Sequence, residues 1–390
     1  ANERILGGVV TEATARLVLD EDRFEEGGLS TEALDVTFSV RDAEVMILSD
    51  LPPITGGRGV GQLTGNSFRV DVSEANFSEW TVSEGLVEFP QFRPKGEPMR
   101  VLATGAGPVQ DIMQVISDSR LQLETRTGFD PKRLSGDGEA TVELFRPALS
   151  NVPYEDLKFT VDGRVRRGGL TKAASGLDLS GANASVKMNP KSLTIAGFGE
   201  LGPAPIQFTW RDGFQDNNAP ANISASAVVN PDVLNRFGLL GRTFLSGEIP
   251  VEVQAKANGS DISNADVAFD LSAARIDLAE IGWVKPAGEA ARATVTFDAQ
   301  ENANAASARL EAETALFDGD IRLQDDGQLL SADLRRAFLD DRADVSGRIV
   351  RNADGGLSVS LTGPFLDISS AMPNVGAVGG AGSFDSAVTL

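Results

Sequence analysis

The side chains that most often carry enzyme chemistry are missing from this sequence. Its 390 residues contain no histidine and no cysteine. This excludes Ser-His-Asp and Cys-His nucleophilic sites, thiolate catalysis, zinc sites of the usual ligand sets, and haem ligation by His or Cys. It also excludes disulfide bonds, so hydrogen bonding and apolar burial must stabilise the fold.

Glycine-rich segments and carboxylates are the remaining candidates for chemistry. Gly105 and Gly107 could open a dinucleotide-binding turn, but Gln110 stands where the third glycine belongs and no βαβ pattern surrounds them. The segment Gly56 to Gly61 lacks the Lys-Ser/Thr of a phosphate-binding loop, which favours a flexible turn. Most carboxylates fall on the polar phase of alternating segments, which indicates a solvated surface and not the paired acids of a glycosidase. The sequence therefore predicts no catalytic residue, no metal ligand and no cofactor.

The net charge disfavours negatively charged binding partners. Lys+Arg number 35 and Asp+Glu number 56, so the net charge is −21. Such an acidic surface is repelled by nucleic-acid phosphates and by anionic lipid headgroups, so we expect no nucleic-acid binding. No run of 18 apolar residues suggests a transmembrane helix. The sequence starts without Met and stops at Leu390 inside a strand-like pattern, so we expect it to be a piece of a longer chain.

Alternation of apolar and polar residues is the dominant pattern. The segment Leu34 to Arg41 places its apolar side chains on one face and its polar side chains on the other, and similar segments recur to Leu361. This pattern is typical of antiparallel strands with one dry face and one wet face. Asp-Gly or Asn-Gly dipeptides beginning at 137, 162, 212, 258, 318, 326 and 354 predict two-residue hairpin turns. Together these features predict a long antiparallel meander.

Two segments show helical periodicity instead. Pro108 to Asp118 and Asn230 to Leu240 each combine apolar residues at helical spacing with a suitable first turn. We expect both helices to pack on the apolar face of the sheet, through Val109, Ile112, Met113 and Ile116 in the first and Val233, Leu234 and Phe237 in the second. No linker divides the chain. Recurring Leu-Ser/Thr-Gly tripeptides indicate weak repeat units of about 1–219 and 220–390 within one continuous segment, 1–390.

Two short helices cannot cover the apolar face of so many strands. The sheet must close on itself or curl into a trough whose interior holds a ligand, and an interior of Leu, Val, Ile, Phe and Ala suits hydrocarbon chains. We therefore predict a mostly β fold, with a long, curved antiparallel β-sheet forming an elongated apolar groove and two short amphipathic helices. For every candidate lining residue, ordinary packing remains the alternative to lipid contact. The lipid-binding candidates are Val36, Phe38, Phe68, Val70, Val142, Leu144, Phe159, Ile206, Phe208, Trp210, Val251, Val253, Phe269, Trp283, Val295, Phe297, Val359 and Leu361.

Four segments carry a resemblance to a known family. They are Leu134 to Leu144, Tyr154 to Gly163, Ile281 to Gly288 and Leu357 to Ile368. In their apolar, glycine and turn positions they resemble the AsmA-like proteins of the YhdP type, and the resemblance covers most of the chain. It implies a very long envelope protein of Gram-negative bacteria that extends across the periplasm and is anchored in the inner membrane by a segment not present here. It also implies a β-lined groove that moves phospholipids toward the outer membrane, and it supplies no catalytic residues.

The expected function is accordingly that of a non-enzymatic lipid-transfer segment in the periplasm. Its partners would be phospholipid acyl chains, with the inner and outer membranes contacted by parts outside this segment, and the sequence identifies no partner protein. The alternative is a ligand-free scaffold β-solenoid of the cell envelope, which requires a fixed rung period and an interior filled by side chains. A polysaccharide-active enzyme is a third possibility, and it requires a cluster of carboxylates on one surface patch.

Overall fold

The chain is built almost entirely from β-strands. The computed structural model describes residues 5–19, 24–25, 28–47, 50–118, 130–149, 156–174, 176–213, 219–236, 244–258, 261–278, 283–298, 305–323, 329–352 and 355–367. In these residues, twenty strands form one large antiparallel sheet that is not closed, beside a three-stranded and a two-stranded sheet. The same residues contain two short α-helices. The predicted fold class, a mostly β chain with a large curved antiparallel sheet and two short helices, is confirmed.

Contacts within the chain divide it into two compact units. Unit 1 comprises Ala1–Gly202 and Thr209–Ala221, and unit 2 comprises Pro203–Phe208 and Asn222–Leu390. The predicted organisation, a single continuous segment with weak repeats of about 1–219 and 220–390, remains a prediction.

Unit 1 is an antiparallel meander. β1 pairs with β4, and from β4 to β12 each strand pairs with the next one along the chain. β2 and β3 pair with each other. Register shifts interrupt β1, β4, β5 and β10, and irregularities of this kind bend a strand and increase its twist. The strands are β1 (Ile5–Leu17), β2 (Phe24–Glu25), β3 (Gly28–Leu29), β4 (Leu34–Val45), β5 (Ile54–Thr64), β6 (Phe68–Phe77), β7 (Trp80–Phe89), β8 (Pro98–Pro108), β9 (Leu134–Pro147), β10 (Lys158–Ala174), β11 (Leu177–Asn189) and β12 (Ser192–Leu201).

Unit 2 continues the same construction. Its ladder runs from β16 to β17 and β20, and then through each successive strand to β25. β15, β18 and β19 form the separate three-stranded sheet. After β13 (Ala204–Gly213), which both units share, the strands are β14 (Ala221–Val229), β15 (Leu245–Ser246), β16 (Ile249–Asn258), β17 (Asp261–Asp270), β18 (Arg275–Leu278), β19 (Trp283–Lys285), β20 (Ala291–Asp298), β21 (Ala305–Ala312), β22 (Ala315–Leu323), β23 (Leu329–Leu339), β24 (Ala343–Arg351) and β25 (Leu357–Leu366).

Both predicted helices are present in the described residues. α1 spans Val109–Ser117, within the predicted segment. α2 spans Pro231–Arg236, and the backbone N–H of Val233 donates to the side-chain Oδ1 of Asn230 at 3.0 Å. Asn230 is therefore the predicted N-cap. The rest of the predicted second helix, including Phe237, lies outside the described residues.

Several segments predicted as turns lie inside strands. Asp137-Gly138, Asp162-Gly163 and Asp318-Gly319 belong to β9, β10 and β22, so the hairpin turns predicted at these dipeptides are wrong. The segment Gly56 to Gly61, predicted to be a flexible turn, lies inside β5. Glycine has a packing role at such positions, because a Cβ at Gly138 would lie 2.8 Å from the Trp80 ring. A strand glycine of this kind lets a side chain from another strand pack directly on the backbone, and the local sequence does not reveal this contact.

Candidate functional site

One face of the sheet in unit 2 is apolar from strand to strand. Directly paired residues of neighbouring strands point to the same face, so the register arranges side chains in rows that cross the strands. We call this surface the apolar face of unit 2. Its three consecutive rows are Val251, Phe269, Ala293, Leu310, Phe317, Ala337 and Val345; then Val253, Val267, Val295, Ala308, Gly319, Leu334, Gly347 and Leu361; and then Ala255, Ala265, Phe297, Ala306, Ile321, Ala332, Ile349 and Val359.

The opposite face of the same strands is polar and charged. Arg335 pairs with Asp320 (2.6 Å), and Arg348 pairs with Asp333 (2.5 Å). Hydrogen bonds from Ser307 and Arg335 hold the pKa of Asp320 below its usual value. The hydrogen bond from Arg348 likewise lowers the pKa of Asp333. The row between the second and third apolar rows is Gln254, Asp266, Thr296, Ser307, Asp320, Asp333, Arg348 and Ser360.

Unit 1 carries an apolar face of the same kind. We call it the apolar face of unit 1, and the polar side chains of its strands again point the other way. The row between its first two apolar rows includes Arg69, Glu88, Arg100 and Lys158. The apolar rows are Ala15, Val36, Leu63, Phe68 and Phe89; then Ala13, Phe38, Gly61, Val70, Val87, Val101, Leu144 and Phe159; and then Val10, Val40, Gly59, Val72, Gly85, Ala103, Val142, Val161, Met188 and Leu193.

Aromatic rings line one margin of the apolar face of unit 1. The ring centroids of Phe38 and Phe68 are 6.2 Å apart, and those of Phe68 and Phe89 are 6.1 Å apart. Phe92 extends the series at 6.1 Å from Phe89. These separations lie in the favourable range for aromatic pairs. The ring of Phe38 occupies the space that a Cβ at Gly61 would need, so this glycine lets the ring lie close to the sheet.

The protein covers these two faces only partly. Val142 in unit 1 is 37% exposed and Val359 in unit 2 is 40% exposed. Phe38, Val70 and Leu144 are half-buried. Apolar residues that are contiguous in rows and still accessible are characteristic of a binding surface, because a soluble chain otherwise buries them.

Other elements cover one margin of the apolar face of unit 2. Trp283 of β19 is 4% exposed, and its Nε1 donates to Oγ1 of Thr314 at 3.0 Å. The three-stranded sheet and α2 contribute side chains to the same buried cluster. Val251 and Phe269, each 8% exposed, belong to this cluster. These two candidates are therefore covered by protein, whereas Val253 and Val295 pack against the cluster and remain half-buried.

A buried lysine ties this covering to the rest of unit 2. Lys285 is 1% exposed, and its Nζ donates to the carbonyl oxygens of Leu271 (2.6 Å), Ser272 (3.0 Å) and Ala274 (2.7 Å). Burial lowers the pKa of its ammonium group. The three carbonyl acceptors offset part of the cost of removing that charge from water. Lys285 thereby fastens β19 to the chain that connects β17 with β18.

A buried arginine interrupts the apolar phase in unit 1. Arg146 follows Val142 and Leu144 at steps of two along β9 and is only 3% exposed. Its guanidinium donates to the carbonyl oxygens of Ile47 (3.2 Å) and Leu149 (2.7 Å). The arginine therefore joins the end of β9 to the chain that follows β4, and it ends the apolar row at that margin.

α1 lies on the apolar face of unit 1. Met113 and Ile116 pack on Met188 and Leu193, which are directly paired neighbours on β11 and β12. No residue of α1 is fully buried. The expectation that the first helix packs on the apolar face holds for Met113 and Ile116.

Fourteen of the eighteen predicted lining residues occupy the rows just described. Unit 1 contains Val36, Phe38, Phe68, Val70, Val142, Leu144 and Phe159, and unit 2 contains Val251, Val253, Phe269, Val295, Phe297, Val359 and Leu361. Ile206 packs on the buried cluster of unit 2, and Phe208 and Trp210 follow it in the same phase of β13. Trp283 belongs to the covering sheet. Contact of these side chains with lipid remains a prediction.

The buried cations Arg146 and Lys285 were not predicted from the sequence. Arg146 stands two residues after Leu144, and Lys285 stands two residues after Trp283, so each occupies the apolar phase of its strand. A charge in that phase at the end of a strand is the signal that could have found them. Within the described ranges, no group of three or more acidic side chains could hold a metal ion. In that part of the chain, no helix has the length and apolar character needed to cross a membrane.

Comparison with known proteins identifies the family of this sequence. Residues 1–383 match the model of the family described as YhdP protein. A comparison with curated proteins finds no match. Since the family match extends over nearly the whole sequence and the apolar rows lie within it, the chain belongs to the YhdP protein family.

Proposed function

We propose that this chain is a segment of an envelope-spanning lipid carrier. It binds lipid acyl chains on the apolar faces of its sheet and conducts phospholipids between the inner and outer membranes. The observation that supports this function best is the set of unbroken apolar rows, whose side chains remain partly exposed in both units. Neighbouring strands lie about 4.8 Å apart, so each row offers an apolar contact at every step across the sheet.

The energetics favour acyl chains as the ligand. Each CH₂ group moved from water onto an apolar surface contributes roughly 0.8 kcal/mol. A row such as Val253 to Leu361 presents no charged side chain that would lose its hydration beneath the chain. The headgroup stays in water, because no polar residue of these rows replaces its hydration. The ligand therefore slides between equivalent apolar contacts and needs no catalytic step.

The setting of this function is the periplasm. We place the membrane anchor and the contacts with the two membranes in parts of the protein outside this segment, as the family relationship suggests. Ion pairs on the polar face and the net charge of −21 keep that face hydrated and disfavour its adsorption to anionic lipid. Acyl chains are the partner that the apolar rows can bind.

Two neighbouring substitutions test the proposal. Val295→Asp places a carboxylate in the middle of an apolar row, whereas Thr294→Asp places the same charge on the polar face, directly opposite Arg309. Val295 is half-buried, so the folded protein can hydrate the new charge better than it could at Val251. We expect Val295→Asp in the full-length protein to stop phospholipid delivery to the outer membrane, because desolvating a carboxylate costs more than one methylene contact gains.

The control must behave differently for the proposal to stand. We expect Thr294→Asp to deliver phospholipid normally, with circular dichroism and expression of both variants close to those of the unmodified protein. Equal delivery by two properly folded variants would refute the carrier function. A ligand-free scaffold would then be the better explanation of the apolar rows.

A further inference from the structure

α1 folds back over the apolar face of unit 1. It begins directly after Pro108, the last residue of β8. Its side chains reach the Met188–Leu193 pair, which lies next to the turn joining β11 to β12. Met188 and Leu193 belong to the row that includes Ala103 of β8. Ala103 lies five residues before Pro108, after which α1 begins. The helix therefore leaves one margin of the face and extends toward the opposite margin.

The N-terminal end of α1 is fixed by hydrogen bonds. The Asp111 carboxylate accepts from Oγ of Ser78 (2.8 Å) and from the backbone N–H of Glu79 (3.2 Å). The indole Nε1 of Trp80 donates to the carbonyl oxygen of Pro108 at 2.8 Å. Trp80 is 8% exposed and lies against Gly107 and Gly138, with no space for a Cβ at either glycine. This end of the helix is anchored in a close-packed site.

The contact of α1 with the far margin is of a different kind. It is apolar, and it is made by Met113 and Ile116 with a cluster in which only Met188 and Leu193 are fully buried. α1 itself has no fully buried residue. Methionine side chains are flexible and polarizable, so a contact between two of them can separate and reform with little strain. The helix is therefore fixed by hydrogen bonds at one end, and it contacts the far margin through apolar side chains.

A lipid that moves along this face must encounter α1. The cluster beneath the helix includes Phe159, Val161 and Val186, which belong to three neighbouring rows. A headgroup that projects into water from any of these rows is blocked by a helix lying above them. We propose, on the basis of the function proposed above, that α1 is a gate that pivots at its Trp80 end to let each phospholipid pass.

Engineered thiol pairs test the gate, because the sequence has no native cysteine. Met113→Cys with Met188→Cys joins the middle of α1 to the sheet, away from its Trp80 end. Ser78→Cys with Asp111→Cys joins the end that is already fixed, where the two side-chain oxygens are 2.8 Å apart. Each pair is introduced into the full-length protein and closed by oxidation or by a short bismaleimide, and closure is verified by mass spectrometry. Delivery of pulse-labelled phospholipid to the outer membrane is then measured.

We expect closure of the Met113–Met188 pair to stop delivery, and reduction of its disulfide to restore it. Closure of the Ser78–Asp111 pair should leave delivery unchanged, because the pivot does not open. A third pair, Thr104→Cys with Thr141→Cys on the polar face, controls for crosslinking itself, since those hydroxyl oxygens are 3.0 Å apart on adjacent strands.

Normal delivery with the Met113–Met188 pair closed overturns the gate and leaves the carrier intact. Loss of delivery with the Ser78–Asp111 pair closed overturns the pivot. Normal delivery by Val295→Asp overturns the carrier itself, so the two failures are distinguishable.

Discussion

Lys285 shows how a single side chain can stabilise the covering of an apolar face. Its ammonium group is the donor shared by three carbonyl oxygens in the turn from Leu271 to Ala274. Met at this position keeps the aliphatic stem but removes the donor, and an unsatisfied buried polar group costs about 1–3 kcal/mol. We therefore expect Lys285→Met to lower the free energy of unfolding of the purified chain by about 3 kcal/mol, measured by denaturant titration.

Lys256 provides the matched control for that substitution. It lies on the polar face of β16 and is exposed. Lys256→Met therefore removes the same charge as Lys285→Met, but it leaves no buried carbonyl oxygen without a hydrogen-bond donor. Surface substitutions of this kind usually change stability by less than about 0.5 kcal/mol. Equal stability of the two variants would show that the three hydrogen bonds of Lys285 contribute nothing.

At the residue scale, the sequence predicts which face of the sheet a side chain occupies better than it predicts whether that side chain is covered. Alternation correctly assigned Val251 and Val295 to the apolar phase, and the rows confirm it. It could not show that Val251 is covered whereas Val295 remains half-buried. That difference arises from β15, β18 and β19, which have two, four and three residues and are too short to display a period.

At the element scale, the ion pairs on the polar face join neighbouring strands. Arg348 of β24 donates to Asp333 of β23 and holds the pKa of that carboxyl below its ordinary 3.8. A depressed folded-state pKa contributes stability that is present above pH 3.8 and is lost as the pH falls through the folded-state pKa. Because the side chain of Arg348 is exposed and that of Asp333 is partly exposed, the contribution is small and decreases with salt.

Replacing Arg348 tests this linkage. We expect Arg348→Gln to lower the melting temperature slightly at neutral pH and to differ less from the unmodified protein as the pH falls from neutral through the folded-state pKa of Asp333, because the carboxyl then becomes protonated in both folded and unfolded states. The measurement is a series of thermal melts across this pH range at low and high salt. A difference that stays constant with pH would show that the effect of Arg348 does not pass through Asp333.

The elements themselves were largely predictable from local pattern. Alternating segments became strands, and Pro108 and Asn230 marked the starts of the two helices. The turns predicted at glycine were wrong at Gly61 and Gly138, because these residues lie inside strands where a large ring needs space. A dipeptide reveals the backbone freedom of glycine but not the Phe or Trp that packs on it from another strand.

At the scale of the whole molecule, the two units share one construction. Each presents apolar rows on one side of its strands and charged residues on the other. Among the residues that the structure describes, each unit has one buried cation at a margin of its apolar face, Arg146 in unit 1 and Lys285 in unit 2. Neither cation lies within the central rows. An apolar path that excludes charge along its length, with charges placed at its margins, is the arrangement that a carrier of acyl chains requires.

If both units serve one route, blocking either unit should be sufficient to stop it. Val142 is 37% exposed on the apolar face of unit 1, so Val142→Asp introduces the charge there without opening the buried core. We expect Val142→Asp and Val295→Asp each to stop phospholipid delivery, and the double variant to be no worse, because steps in series are limited by a single block.

Lipid binding should behave differently. Native mass spectrometry of the purified chain should show part of the bound phospholipid lost in each single variant and most of it lost in the double variant. Normal delivery by Val142→Asp, with Val295→Asp inactive, would place unit 1 outside the route.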